Sequence, residues 1–147
     1  MLVTDMDIIG NHDIDSFFTN FNKKNWDAIY INGNKNFFKI INYNYDPFAY
    51  LDIVSDKFVN DRKKNYNDTF EFFRVIDITL KTKYLPFDFI EVKSAFNGYG
   101  LFKIKSILDT TYSGNEKCEH HNLAKIIYLK GGKQFISKKW YCDIRSH

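Results

Sequence analysis

Apolar and polar positions along this chain fall into stretches the length of single strands and helices, separated by turn residues. Leu2 and Val3 make a short apolar strand of Met1 to Thr4, which ends at once in the acidic step Asp5-Met6-Asp7. Ile14, Phe17, Phe18 and Phe21 recur at helical spacing, and Asp13 stands where an N-cap would accept the orphan N–H groups of a first turn. Ile29 and Ile31, within Trp26-Asp27-Ala28-Ile29-Tyr30-Ile31, predict a buried strand closed by the turn Asn32-Gly33-Asn34. A second short strand follows from Phe37 to Ile41. Pro47 keeps Asp46 out of the helical region, so Tyr45-Asp46-Pro47-Phe48-Ala49-Tyr50 reads as an ordered turn dense in aromatics. Packing inward is the favoured role of Tyr45, Phe48 and Tyr50, and lining a groove is the other.

Residues 56 to 67, where Lys57, Arg62, Lys63 and Lys64 stand amid Asn and Asp, read as a polar helix end and loop, the segment expected to be most mobile. A helix from Asp68 to Lys81 follows, its apolar face formed by Phe72, Val75, Ile76 and Ile78 to Leu80, and Leu85-Pro86-Phe87 stops it. Strands at Phe89 to Val92 and Gly100 to Ile104 flank a turn built on Asn97, Gly98 and Gly100, where glycine lets backbone come close to a ligand. A plain hairpin turn is the alternative. The last helix runs from Glu119 to Lys130 with Leu123, Ile126 and Ile127 on one face, and Gly131-Gly132 ends it. Gln134 to Ser137 and Trp140 to Ile144 are two short closing strands. The mixture of elements predicts an α+β domain derived from α/β architecture, a mixed sheet of about five or six strands with about three main helices. Without repeats or low-complexity linkers, residues 1 to 147 read as a single domain.

Composition sharpens this in one respect. Hydrophobic residues make up 44% and charged residues 27%, which is globular, but the aromatic share is 18%, with 15 Phe and 10 Tyr. They cannot all be core, so some should line a groove for a flat or sugar-like ligand, or a partner surface. The excess of Asn, Lys, Ile, Phe and Tyr is also what AT-rich codons produce. A net charge of +3 is too weak to argue nucleic-acid binding. Its distribution is uneven: Asp5, Asp7, Asp13 and Asp15 open the chain without a Lys or Arg among them, while the segment from Lys117 onward is mostly basic. Cys118 and Cys142 form no CxxC pair and read as free thiols of a reducing compartment. Neither a basic-plus-apolar leader nor an apolar run of about eighteen residues is present, which points to the cytoplasm and to no membrane segment.

Candidate chemistry sits in three places. Asp5 and Asp7, one residue apart where a strand gives way to a loop, offer hard oxygen ligands suited to Mg²⁺ or Mn²⁺; an ordinary acidic turn is the plain reading. The glycine turn is the second place. Glu119, with His120 and His121 at the head of a helix, is the third; a helix cap and core histidines are the plain reading there.

Taken in order, D-x-D at Asp5 and Asp7, W-D-A at Trp26 to Ala28, Y-D-x-x-A at Tyr45 to Ala49, S-A-F-N-G-Y-G at Ser94 to Gly100 and C-E-H at Cys118 to His120 make a series. That series resembles the second half of the metal-dependent, nucleotide-sugar-using glycosyltransferases of the A-type fold. It is most similar to a group with an S-A-F-G-G-like loop and a C-E-H motif, found in polysaccharide and glycan synthesis, and the likeness runs from Val3 to Trp140. The resemblance implies that Asp5 and Asp7 hold the metal and nucleotide sugar, and that Asn97, Gly98, Tyr99 and Gly100, with Tyr45 and Asp46, meet the substrates. It also implies that Glu119 acts as base on the acceptor hydroxyl in an inverting reaction, with His120 or His121 as a further ligand or as an orienter of Glu119. These residues are expected around one cleft.

In that family the D-x-D follows a nucleotide-binding half of roughly a hundred residues built from βαβ units, whereas this chain opens at the strand just before the motif. The resemblance therefore implies an acceptor half. Its nucleotide-binding half would come from a second chain, or have been lost from a remnant or from the start of the chain, leaving the edge of Met1 to Thr4 open. The partners expected are a nucleotide-sugar donor, a glycan or protein acceptor and that second chain. A different class competes with this: a non-enzymatic module that binds a glycan or protein through the Tyr45 to Tyr50 surface, its acids and histidines serving caps and core hydrogen bonds. A metal-binding regulator is a weaker third.

Overall fold

A computed structural model describes residues 1–4, 9–37, 41–44, 49–54, 68–110 and 119–145, with side chains placed over 1–4, 13–33, 49–54, 72–110 and 120–142. The expected strand at Phe37 to Ile41, the Tyr45–Phe48 part of the aromatic turn, the polar segment and the Asp5-Met6-Asp7 step lie partly or wholly outside the described residues.

The architecture is the α+β mixed sheet that the pattern predicts. Its continuous path runs β1 (Leu2–Thr4), β7 (Tyr99–Phe102), β3 (Ala28–Phe37), β8 (Gln134–Arg145), β6 (Phe89–Ser94), β5 (Leu51–Asp52). Two further strands pair off this path, β2 (Ile9–His12) on β8 and β4 (Ile41–Asn44) on β3. Strands β3 and β8 lie parallel at the centre, and every other pairing is antiparallel. They take that place because Ile29, Ile31, Phe135 and Ile136 are apolar on both faces, as a strand covered on both sides must be.

The sheet corrects several sequence boundaries. Asn32-Gly33-Asn34 does not turn; β3 passes straight through it. The irregularity falls instead on the partner strand. Ile31 pairs with Ser137 and Asn32 with Tyr141, so β8 bulges at Lys138 to Trp140, where Trp140 N–H donates to Ser137 Oγ at 3.2 Å. The two expected closing strands are the two arms of this one strand. Where a strand was expected from Phe37 to Ile41, β3 ends at Phe37 and β4 begins at Ile41, its register partner. The strand after the glycine turn stops at Phe102, and Ile104 opens a short helix, α3 (Ile104–Ile107).

Alternation along the strands gives the sheet two apolar faces. Ala28, Tyr30, Ile90, Val92, Phe96, Phe102 and Ile136 form one, under Ile78 of α2 (Asp68–Tyr84) and Leu123 and Ile127 of α4 (Glu119–Leu129). Trp26, Ile29, Ile31, Leu101, Phe135, Trp140 and Cys142 form the other, with Phe17 of α1 (Ile14–Thr19) packed on it. Asp13 caps α1 as expected, accepting from Asp15 N–H at 3.0 Å. Of that helix's apolar set only Phe17 reaches the core, edge-on to Trp140 at 5.3 Å between centroids. Gly131, at φ 77, ends α4: its N–H donates to Tyr128 O and that of Gly132 to Ile127 O, both at 2.9 Å, closing a Schellman motif.

Helix α2 runs to Tyr84, past the expected end at Lys81, and its buried line differs from the expected one. Arg74, Ile78 and Thr82 face the sheet, while Phe72, Ile76 and Leu80 point outward. Arg74 is held there by donating to Tyr50 O.

Candidate functional site

The stretch Ala95-Phe96-Asn97-Gly98 is not a hairpin turn. Strands β6 and β7 are separated in the sheet by β8 and β3, so this short segment is a crossover between non-adjacent strands, and all four residues are buried. Buried irregular backbone must find partners for its polar groups, and the sequence supplies them. Asn97, with no exposed surface, donates Nδ2–H to Ile31 O at 3.0 Å, which ties the crossover to β3. Gly98 sits at φ 86, a conformation that strains any residue with a Cβ. A Cβ on Gly100 would fall 2.6 Å from the Phe102 ring, so that position admits no side chain without moving the aromatic.

Beneath the crossover lies a polar pin that sequence reasoning missed. Gln134, the first residue of β8, is 1% exposed; its Oε1 accepts from Tyr30 OH at 2.5 Å. Its Nε2 donates to Lys93 O and to Ala124 O, each at 2.8 Å. One amide thus joins β3, β8, the end of β6 and α4. Burial pushes the Tyr30 phenol far up, so it stays a neutral donor. The legible signal was an amide at the head of a strand whose next two residues, Phe135 and Ile136, are apolar.

The end of β1 and the start of α4 both adjoin the crossover. Thr4, the last residue of β1, pairs with Tyr99, so the chain leaves β1 at the glycine turn. Helix α4 begins there too, because His120 stacks on Phe96 with 3.8 Å between ring centroids and 15° between planes. Asn97, Gly98, Gly100 and His120 are therefore brought together, whereas Tyr99 packs on the other face of the sheet, against the cluster of Leu101 and Trp140; Glu119 is the first residue of α4, its side chain outside the described set. Asp5, Asp7, Tyr45 and Asp46 lie outside the described residues. Among the described residues no three His, Cys, Asp or Glu side chains are grouped to hold a metal ion. The aromatic turn ends inward: Tyr50 is buried, and its hydroxyl lies 3.2 Å from Asp52 Oδ2 and 3.3 Å from Asp77 Oδ2.

Asp27 of the W-D-A triplet stands at the opposite end of β3. Ser106 Oγ–H donates to it at 2.5 Å and Lys133 N–H at 2.9 Å, joining β3, α3 and the approach to β8. Burial works to raise its carboxyl, but these two donors and the nearby Lys103 and Lys105 outweigh it and hold the group below the usual carboxylate value. A cavity of about 240 Å³ opens beside it, lined by Ser106, Ile127, Gly131 and Gly132. It is separate from the glycine turn. No helix among the described residues is long and apolar enough to cross a membrane. Compared with protein-family models, with curated proteins and with solved structures, the chain matches none.

Proposed function

We propose that this chain carries the acceptor-side part of a metal-dependent glycosyltransferase, moving a sugar from a nucleotide-sugar donor to a hydroxyl of a glycan or protein. The observation that supports it is the meeting of the end of β1, the buried Asn97–Gly100 turn and the first turn of α4 at one end of the sheet. The three segments are far apart in sequence, and Thr4, the described residue next to Asp5, pairs with Tyr99. Asp5 and Asp7, with His120, would hold Mn²⁺ or Mg²⁺. The donor chemistry fits, because two carboxylates supply hard oxygens and a ring stacked on Phe96 by its face keeps its nitrogens at the edge. The bound ion would supply charge neutralisation at the leaving diphosphate. Glu119 takes the proton from the incoming hydroxyl. Asn97 holds the shape of the turn, whose glycines are buried, with the Phe102 ring filling the space beside Gly100.

Strand β1 is the terminal strand of the described sheet path, with Leu2 exposed, and its outer edge is where a nucleotide-binding half would add a strand, in cis or in trans. The rival binding-module reading drew on the Tyr45 to Tyr50 surface, and the burial of Tyr50 removes one of its aromatics.

The test is transfer and donor hydrolysis with a panel of nucleotide sugars. Residues 1 to 147 alone are expected to give none, since positioning supplies a large share of the rate; activity should appear when a nucleotide-binding half is supplied. Glu119→Gln should then lose turnover and keep donor affinity. Retained turnover would remove Glu119 from the mechanism.

A further inference from the structure

The cavity of about 240 Å³ beside Asp27 combines groups of opposite character. Asp27 takes one hydrogen bond on each oxygen, from Ser106 Oγ–H on Oδ1 at 2.5 Å and from Lys133 N–H on Oδ2 at 2.9 Å. A carboxylate accepts about four such bonds, so about two of its places stay open. Ser106 gives its only hydroxyl proton to Asp27, which leaves its oxygen as a second acceptor. Against these acceptors stand two cations, Lys105 of α3 and Lys130, the residue after α4, both exposed and both lining the cavity. Neither has a carboxylate partner among the described residues. We propose that this cavity binds a small hydroxylated anion, a polyol monophosphate in class, with its phosphate between Lys105 and Lys130 and its hydroxyls donating to Asp27 and Ser106.

Size and charge select that class. The volume lies below the about 300–1,000 Å³ of drug-sized pockets, so the ligand is small. A cation would meet two lining ammoniums against one carboxylate, with Lys103 also near that carboxylate. A bare anion would find the lysines but would have Asp27 opposing it, and would leave the open acceptors of Asp27 and Ser106 without donors. A ligand anionic at one end and carrying neutral donors at the other satisfies both sets. An ammonium donor in place of a hydroxyl would be repelled by Lys103 and Lys105, which already compensate Asp27. A phosphate monoester, with a charge of about −2 and three acceptor oxygens, answers two ammoniums better than the single charge of a carboxylate. The site is separate from the one assigned to sugar transfer and does not rest on it.

The test is an amide NMR titration of the full chain with glycerol phosphate, inorganic phosphate and glycerol at constant ionic strength. Saturable shifts at Ser106, Gly131 and Gly132 are expected with glycerol phosphate, at least about threefold tighter than with inorganic phosphate, and none with glycerol. Lys105→Gln and Lys130→Gln, at exposed positions, should each weaken glycerol phosphate roughly threefold or more. Asp27→Asn removes a charge that opposes anions, so it should tighten inorganic phosphate while narrowing the advantage of glycerol phosphate. Should Asp27→Asn lose its melting transition, the lysine variants decide. Shifts that do not saturate overturn the proposal, as does indifference to both lysine variants. Equal affinity for the two phosphates also overturns it, marking an adventitious ion only. Saturation by free glycine in place of glycerol phosphate overturns it in favour of an ammonium-bearing ligand.

Discussion

Gln134 shows how much one side chain can hold. Replacing it with Leu removes the bond that each of Tyr30 OH, Lys93 O and Ala124 O makes to the buried amide. Each loss of that kind costs about 1–3 kcal/mol, so Gln134→Leu should destabilise by roughly 3 kcal/mol or more in urea unfolding, and Tyr30→Phe by about 1–2 kcal/mol. A larger effect of Tyr30→Phe would shift the weight from the amide to the phenol. Asp7 is tested differently, through mass action. A ligand that binds only the folded state raises Tm, so Mn²⁺ should raise it in the native chain and not in Asp7→Ala, and a melting curve indifferent to Mn²⁺ would count against a metal site. Lys81 gives a pH prediction. Burial works against its charge, but Asp52 Oδ2 at 2.6 Å and Asp77 Oδ2 at 2.8 Å outweigh that and hold the ammonium above its ordinary value of 10.5. Because the folded value is the raised one, the contribution is complete below pH 10.5 and is lost as pH climbs through the folded value. Between neutral pH and that alkaline window Tm should therefore fall more in the native chain than in Lys81→Met.

At the scale of elements, Gly98 carries the sharpest expectation. An alanine at φ 86 is strained by about 1–2 kcal/mol, so Gly98→Ala should lower stability by that amount in urea unfolding, while Lys133→Ala, on the exposed approach to β8, should change it little. A neutral Gly98→Ala would mean the crossover can relax. The elements themselves were largely legible: β1, β6, both arms of β8, the cap of α1 and the glycine end of α4 follow from local pattern and cap chemistry. What was not legible depended on neighbours. Asn32-Gly33-Asn34 has the composition of a turn, yet β8 pairs alongside it and takes the irregularity into its own bulge. The crossover reads as a hairpin because sequence adjacency suggests strand adjacency, and only the insertion of β3 and β8 between β6 and β7 changes that. Periodicity gave α2 an apolar face but not its direction, since Arg74 found Tyr50 O and Ile78 alone supplied the deepest contact. Of the candidate site, the turn and His120 could be named from their residue types, whereas Gln134 could not, because its role lies wholly in tertiary contacts.

For the whole molecule, the order of strands matters as much as their number. Strand β8 is the last in sequence and lies at the centre, with β3 on one side and β6 and β2 on the other. Before Gln134–Arg145 has been synthesised, β3 and β6 have no strand between them, and Lys93, Ala124 and Tyr30 lack the amide that joins them. Folding on the ribosome should therefore wait. Nascent chains arrested ahead of Gln134 should stay open to protease, and those released beyond Arg145 should close in one step, at the slow rate typical of sheets assembled from distant segments.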